Sequence, residues 1–446
     1  MATTVLDSRI FRDLFGTGAM RAVFSDAAFL ERCVEVEVAL ARAEARAGVI
    51  PEPAAREIAA RASARDLDLE RLKAETETVG YPILPLVRQV AAQCGEAGRW
   101  LHWGATTQDI MDSAVVLQLR AALDLVDGDI AELRAVLARL AHRYRDTPMA
   151  GRTHLQHALP VTFGYKAAIW LSMFDRHAAR LAELRPRLEV AQFAGAAGTL
   201  ASLGGKGLAV QAELARELKL GVPAITWHVA RDSLAECVLL LGLVTGSLGK
   251  IANDVMLMMQ NEVAEAFEPF VHGRGASSTM PQKRNPISCE LILAAGKAVR
   301  QHCALMLDAT VQDFERATGP WHAEWIAIPE SFVLASGALA QAKFMLGGLV
   351  VDEARMRRNL DVTSGLIVAE AAMMALAPHL GRQEAHDVVY DACRAAAESG
   401  RSLGEVLGSL PAVTEHLSPR EIAEAVDPVR YLGAAQEMVD RLLRGR

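Results

Sequence analysis

Aromatic residues make up only 5% of this chain, and no segment alternates apolar and polar side chains convincingly enough to suggest a strand. Sheets draw on aromatic and β-branched residues, so these absences exclude a β-rich architecture and favour helices. The six cysteines, at 33, 94, 237, 289, 303 and 393, include no C-x-x-C pair. That spacing supports neither a zinc knuckle nor a disulfide frame, and it suits reduced, mostly buried thiols. Positive charge is not in excess either: 47 Lys and Arg face 54 Asp and Glu, a net charge of -7. Phosphate backbones need a basic face, so nucleic acid is not an expected partner, while a local basic pocket for a small anion fits the balance. The twelve histidines form no metal-ligand pattern, and no metal or other cofactor is expected. Neither Gly273–Gly275 nor Gly204–Gly207 has the spacing or preceding strand of a phosphate cradle. The first residues carry no basic stretch followed by an apolar run, so the expected compartment is the cytoplasm.

What the chain does have is long helical periodicity. Residues 25–48 read as an amphipathic helix, with Ser25 as cap and Gly48 as terminator before Pro51. Short helical pieces follow to about 112. Val116, Leu119, Leu123, Val126, Ile130, Leu133, Leu137, Leu140 and Tyr144 then recur by threes and fours, a heptad seam that demands other long helices. Residues 165–185, 232–262, 288–312 and 329–350 are further long candidates. The apolar runs 234–248 and 332–351 are interrupted by polar residues such as Glu236, Gln341 and Lys343. They read as buried core helices and not as membrane spans, which need roughly 20 nearly uncharged residues. Gly242 and Gly246 give one helix a flat face for close approach.

The predicted class is all-α: an N-terminal helical domain (1–112), a central long-helix bundle (113–358) and a small C-terminal helical domain (359–446). Helices apolar nearly all round exceed what one subunit can cover, so oligomerisation is expected.

Three polar, glycine-containing segments interrupt the helices: His102–Asp112, Gly151–Thr162 and Gly273–Pro286, the last followed by Ile287–Glu290. A bundle builds polar sites from such breaks. Singly, each has a bland reading: Ser-Ser-Thr as a turn, His154 as a structural histidine, Lys283 and Arg284 as solvated charges. Together they resemble the fumarase/aspartase superfamily. Ala276-Ser277-Ser278-Thr279-Met280-Pro281-Gln282-Lys283-Arg284-Asn285 is similar to its signature loop G-S-S-x-M-P-x-K-x-N, with Ala276 in place of the glycine. The other two segments match the family's remaining blocks in the same order, and the likeness continues through Asn359–Ile367 and Gly381–His386.

The resemblance implies removal of a proton beside a carboxylate and expulsion of a group from the neighbouring carbon, or the reverse. It implies Ser277 as general base, Lys283 and Asn285 on the carboxylate that gains charge, and His154 as the group that protonates the leaving group, paired with Glu290. A serine hydroxyl is a weak base in water, so that role requires loop closure. Thr106, Thr107, Asp109, His102, Arg152, Thr153, Gln156, Ser278 and Met280 are the implied substrate-binding groups. A homotetramer whose active sites draw on several subunits, acting on a small polycarboxylate, is implied as well.

Within the superfamily the chain is most similar to the 3-carboxy-cis,cis-muconate cycloisomerase branch, through Leu14–Asp26, Gly195–Gly204 and Glu315–Trp325. That branch carries tryptophan where this chain has His154. A carboxylate leaving group, with a pKa of roughly 4, needs no proton, whereas an amine does. His154 therefore suggests a second reading, fumarate-releasing cleavage of an N-substituted aspartate or similar succinyl compound. A non-catalytic structural relative is a third, and the intact Ser277, Lys283, Asn285, His154 and Glu290 argue against it.

Overall fold

The computed structural model describes residues 4–316 and 318–445. The long helices lie close to where periodicity placed them: Asp26–Arg46, Thr107–Arg143, Phe163–Leu188, Asp232–Met259, Ile287–Ala309 and Pro320–Gly347, the last starting well before the expected 329 and carrying Pro329 inside it. Two compact units emerge. The first comprises Met1–Ala131, Arg176–Gly249 and Leu291–Gln341; the second comprises Glu132–Asp175, Lys250–Glu290 and Ala342–Arg446. Both are discontinuous in sequence, so they cut the chain differently from three consecutive domains.

In the first unit, Ser25 caps the helix Asp26–Arg46, its hydroxyl accepting from the Ala28 N–H. The helix buries Leu30, Cys33, Val34, Val36, Leu40 and Ala43 and packs on Gly207–Leu218 and Glu52–Arg61. Val116, Leu119, Leu123, Val126 and Ile130 of the heptad seam are completely buried in this unit, each worth about 1.5–3 kcal/mol of transfer free energy. The helix Asp232–Met259 is long and apolar enough to cross a membrane by composition. Leu234, Val238, Leu241, Val244 and Leu248 are nonetheless buried within the unit, as in a core helix.

The second unit contains a feature the sequence reading did not anticipate. Pro148–Thr153 and Gln156–Thr162 form an antiparallel hairpin. Gly151 permits its tight pairing, since a Cβ there would sit 2.6 Å from the Leu159 carbonyl oxygen. With Thr153 opposite Gln156, the turn is the pair His154-Leu155, and both have positive φ, 50° and 63°. Hairpin turns of this kind favour Asn-Gly; histidine and leucine hold the conformation at a cost of about 1–2 kcal/mol each. Tertiary contacts compensate: the hairpin packs on Glu353–Asn359 and Leu366–Val368. Weak strand propensity overridden by packing explains why periodicity did not reveal it. A separate core of Ala372, Leu376, Ala385, Val389, Leu403, Leu407 and Val413 holds the C-terminal helices together.

All six cysteines are free thiols, and all but Cys393 are buried. Burial pushes each thiol above its ordinary value, which makes them poor nucleophiles.

Two predictions follow from this packing. Glu44 is fully buried, and neither carboxylate oxygen has a hydrogen-bond partner. Burial first, and the nearby Glu37 charge second, raise its pKa from an ordinary 4.5 to about 9. The folded chain then keeps a proton that the unfolded chain releases near 4.5. Stability is therefore full at low pH and declines between those values, by at most on the order of 1 kcal/mol per pH unit. Glu44→Gln should flatten that decline in urea titrations across this range; an unchanged slope would assign the pH dependence elsewhere. Leu155 is 75% exposed, so Leu155→Gly loses little contact and relieves the turn. A gain of up to about 1 kcal/mol in unfolding free energy is expected, and a loss would show the turn to be unstrained.

Candidate active site

The segment Gly273–Pro286 leads into the helix Ile287–Ala309 and belongs to the second unit. Its ends are pinned together: the Asn285 N–H donates to the Gly275 carbonyl at 3.0 Å, and Ala276 pairs with Arg284 in an antiparallel bridge. Gly275, at φ 71°, lies so close to Asn285 that a Cβ would meet its carbonyl oxygen at 2.6 Å. The base of the loop is anchored by charge. Buried Glu268 accepts from the Ser288 and Cys289 N–H groups, at 3.2 and 2.9 Å, placing a carboxylate on the helix N-terminus. Arg274 donates to the Ser288 hydroxyl at 2.7 Å and lies over the Phe344 ring, while Arg284 lies over Phe270.

Within this loop Ser277 makes a turn on itself. Its Oγ accepts from the backbone N–H groups of Met280 and Thr279, at 3.1 and 3.3 Å. Two donors aimed at one oxygen favour its deprotonated form, because an alkoxide gains more from them than a hydroxyl does. Ser278, Met280 and Lys283 are exposed, and Asn285 is half-buried. Among the described residues, the side chains of Lys283, Asn285 and Glu290 make no hydrogen bond or ion pair within the chain.

The hairpin, also in the second unit, presents Thr153, His154 and Gln156 to solvent. These side chains, too, are unpartnered among the described residues. His154 forms no ion pair with Glu290 inside one chain. Arg152 differs from expectation. Its guanidinium pairs bidentately with Glu265, at 2.8 and 2.7 Å, and Glu265 is completely buried and also accepts from Asn359. A buried carboxylate needs such a partner, so Arg152 braces the hairpin where a substrate contact was expected.

The first segment lies in the first unit, at the N-terminus of the helix Thr107–Arg143. Thr106 and Thr107 are half-buried there. Asp109, expected among the substrate-binding groups, is completely buried, and its oxygens are taken by protein donors. They accept from the N–H groups of Thr106, Ala194 and Gly195 at 2.9–3.0 Å, and His228 Nε2 lies 2.7 Å away. The carboxylate fixes the helix start and the 194–195 turn and is a positioning group. His102 Nδ1 is 2.6 Å from buried Glu37. Burial opposes a charge on His102, but the Glu37 carboxylate, by charge and hydrogen bond, outweighs it and raises the imidazole pKa.

Sequence reading missed Arg316, Glu268 and Arg274. Arg316 donates to the Thr106 hydroxyl at 2.7 Å and to the Ala196 carbonyl at 2.8 Å, tying the first segment to the 195–196 turn. The charge itself was visible in Glu315-Arg316, but its partner lies 210 residues away, a separation no local pattern reveals. Among the described residues, no three His, Cys, Asp or Glu side chains gather as metal ligands.

Comparison with known proteins identifies the family. The lyase family model matches residues 16–300, and the adenylosuccinate lyase C-terminus model matches residues 365–442. The chain is 50% identical over 440 residues to 3-carboxy-cis,cis-muconate cycloisomerase of Pseudomonas aeruginosa, covering 98% of this chain and 96% of that protein. A crystal structure of fumarate lyase from Mesorhizobium sp. BNC1 is 60% identical, with a TM-score of 0.91 and coverage of 97% of this chain and 99% of that one. The 3-carboxy-cis,cis-muconate lactonizing enzyme of Pseudomonas putida is 44% identical, with a TM-score of 0.92 over 98% of both chains. A predominantly helical chain matched over nearly its whole length by these enzymes belongs to the fumarase/aspartase superfamily of lyases and cycloisomerases.

Proposed function

We propose that this enzyme is a 3-carboxy-cis,cis-muconate cycloisomerase, closing its substrate to 4-carboxymuconolactone. The observation that carries this reading is the 50% identity to the Pseudomonas aeruginosa cycloisomerase over nearly the whole of both chains. In the reaction a carboxylate oxygen adds to the carbon–carbon double bond. The π pair moves onto the carbon beside a second carboxylate, giving an enolate-like dianion, and that carbon then takes a proton. One C–O and one C–H bond form, one π bond is lost, and one proton is consumed as the attacking carboxylate becomes an ester.

Ser277 is the group that transfers this proton, as acid in the lactone-forming direction and as base in reverse. The two N–H donors at its oxygen support that role, because they lower the cost of the alkoxide. Lys283 and Asn285 serve the carboxylate whose charge grows, and electrostatic stabilisation of that charge is the main catalytic effect. Thr106, Thr107, Thr153, Gln156, Ser278 and Met280 complete the substrate contacts. The working form is a cytoplasmic homotetramer with active sites shared between subunits, taking a small polycarboxylate.

A second reading is favoured by one residue. His154 stands exposed at the tip of the hairpin, and the 60% identical structure is that of a fumarate lyase. With an amine as leaving group, the proton-donating imidazole, supported by Glu290, would be required and the product would be fumarate.

Ser277→Ala should lower kcat on the best substrate by on the order of 10³ without moving the melting temperature. A variant as active as the parent would return the chain to a non-catalytic role. His154→Phe separates the two chemistries. Lactonisation of 3-carboxy-cis,cis-muconate, followed by uptake of one proton per turnover in a pH-stat, should change by less than about threefold, because a carboxylate needs no proton. Ultraviolet detection of fumarate from N-substituted aspartates in the parent, lost about 100-fold in the variant, would establish the C–N lyase reading instead.

A further inference from the structure

The helix Asp26–Arg46 completely buries two acidic side chains that the elimination chemistry does not use, Glu37 and Glu44. Glu44 is neutral, since burial and the Glu37 charge hold its proton up to about pH 9. Glu37 has a partner. Its Oε1 lies 2.6 Å from Nδ1 of His102, while its Oε2 is buried with no hydrogen-bond partner among the described residues. The cations of this helix and its packed neighbours are engaged elsewhere: Arg21 with Asp13, Arg56 with Glu52, Arg61 with Glu57, and Arg42, Arg46 and Arg216 with Glu217 and Glu213. His102 is the cation that Glu37 meets, and a buried carboxylate needs one. Two other titratable groups act on the pair. Asp109, bonded to His228, adds to the pull on His102, and burial keeps the Cys33 thiol protonated.

His102 has a second feature of its own. Its backbone is left-handed, at φ 58°, a conformation that costs a residue with a side chain and is kept where surrounding contacts impose it. The ring retains 21% of its exposure, and Nε2, without a partner among the described residues, is the nitrogen that solvent reaches. A carboxylate on one imidazole nitrogen sets the tautomer and raises the basicity of the other. Burial opposes a charge on this ring, yet Glu37 and then Asp109 raise its pKa above the ordinary 6.5. Nδ1 and Nε2 lie on opposite edges of the ring, so an anion arriving from solvent meets an N–H donor with Glu37 behind it. His102 also opens the segment that carries Thr106 and Thr107.

We propose that Glu37 is a positioning residue for substrate binding: through Nδ1 it fixes the His102 ring as an imidazolium whose Nε2–H holds a substrate carboxylate. Such a charge-assisted bond is about twice as strong as a neutral one. The carboxylate is one not served by Lys283 and Asn285, so the substrate carries at least two. The charged ring exists below its pKa, so binding weakens as pH rises through that value. The assignment rests on the polycarboxylate reading of the site, but the link between Glu37 and His102 is tested without substrate.

NMR titration of the full-length protein with isotope-labelled histidines reads that link, with His102→Asn to assign the resonance. Glu37→Gln should lower the His102 midpoint by at least about one pH unit. Glu44→Gln, which replaces an acid already neutral, should not move it. Steady-state kinetics on the best polycarboxylate substrate read the binding role. Glu37→Gln should raise KM at neutral pH by about tenfold or more and lower kcat by less than about threefold, and Glu37→Asp, which keeps the charge, should recover part of the loss. In the parent, KM should rise as pH passes the His102 midpoint. Circular dichroism confirms folding, and if Glu37→Gln does not fold, a parent midpoint at or below 6.5 overturns the proposal. An unmoved midpoint in folded Glu37→Gln, or a loss confined to kcat, overturns it as well. A parent that turns over no polycarboxylate would instead sink the reading of the site, and the carboxylate contact with it, while the titration still judges the pair.

Discussion

A helix of nearly thirty residues that is apolar around most of its surface has few places to put a charge away from its ends. That constraint organises this molecule. Asp232–Met259 and Pro320–Gly347 are largely apolar, and the seam of Thr107–Arg143 is buried along its length. The polar segments are consequently driven to the breaks between helices. There unpaired backbone N–H groups make anchoring carboxylates favourable. Asp109 at the start of one long helix and Glu268 at the start of another occupy such places.

The polar groups at these breaks divide into two kinds. Asp109, Glu268, Glu265 and Arg152 are committed to protein partners, and they hold segments in position. Lys283, Asn285, Glu290, His154, Thr153 and Gln156 have no side-chain partner among the described residues. Within the second unit, the buried Glu265 and Glu268 and the Arg152 that pairs with Glu265 hold a hairpin and a loop that carry free donors and acceptors, the arrangement expected of a preorganised site. The left-handed pair His154-Leu155 and the closed loop around Ser277 are its most constrained parts.

Members of this superfamily share one problem, the charge that builds beside a carboxylate, and differ in what leaves the neighbouring carbon. The machinery for the common step can therefore persist while the leaving-group side changes. In the proposed mechanism Ser277, Lys283 and Asn285 address the common step. The same proposal assigns His154 to the part that varies, so a single imidazole weighs against whole-chain identity in the choice of substrate.

The positions of the long helices, the seam, the buried state of the cysteines and the three polar breaks between helices were all legible in the sequence. Each depends on local periodicity, composition or a contiguous motif, and such signals survive without knowledge of distant neighbours. Tertiary structure alone decided that Gly151–Thr162 is largely a hairpin, because its strand propensity is weak and distant helices supply the packing. It likewise decided that Arg152 and Asp109 face protein partners, that Arg316 reaches Thr106, and that Arg231 joins Asp112 and Glu324. A charged side chain looks the same in sequence whether it meets water, substrate or a carboxylate a hundred residues away. Only the folded chain supplies the partner, and the partner determines the role.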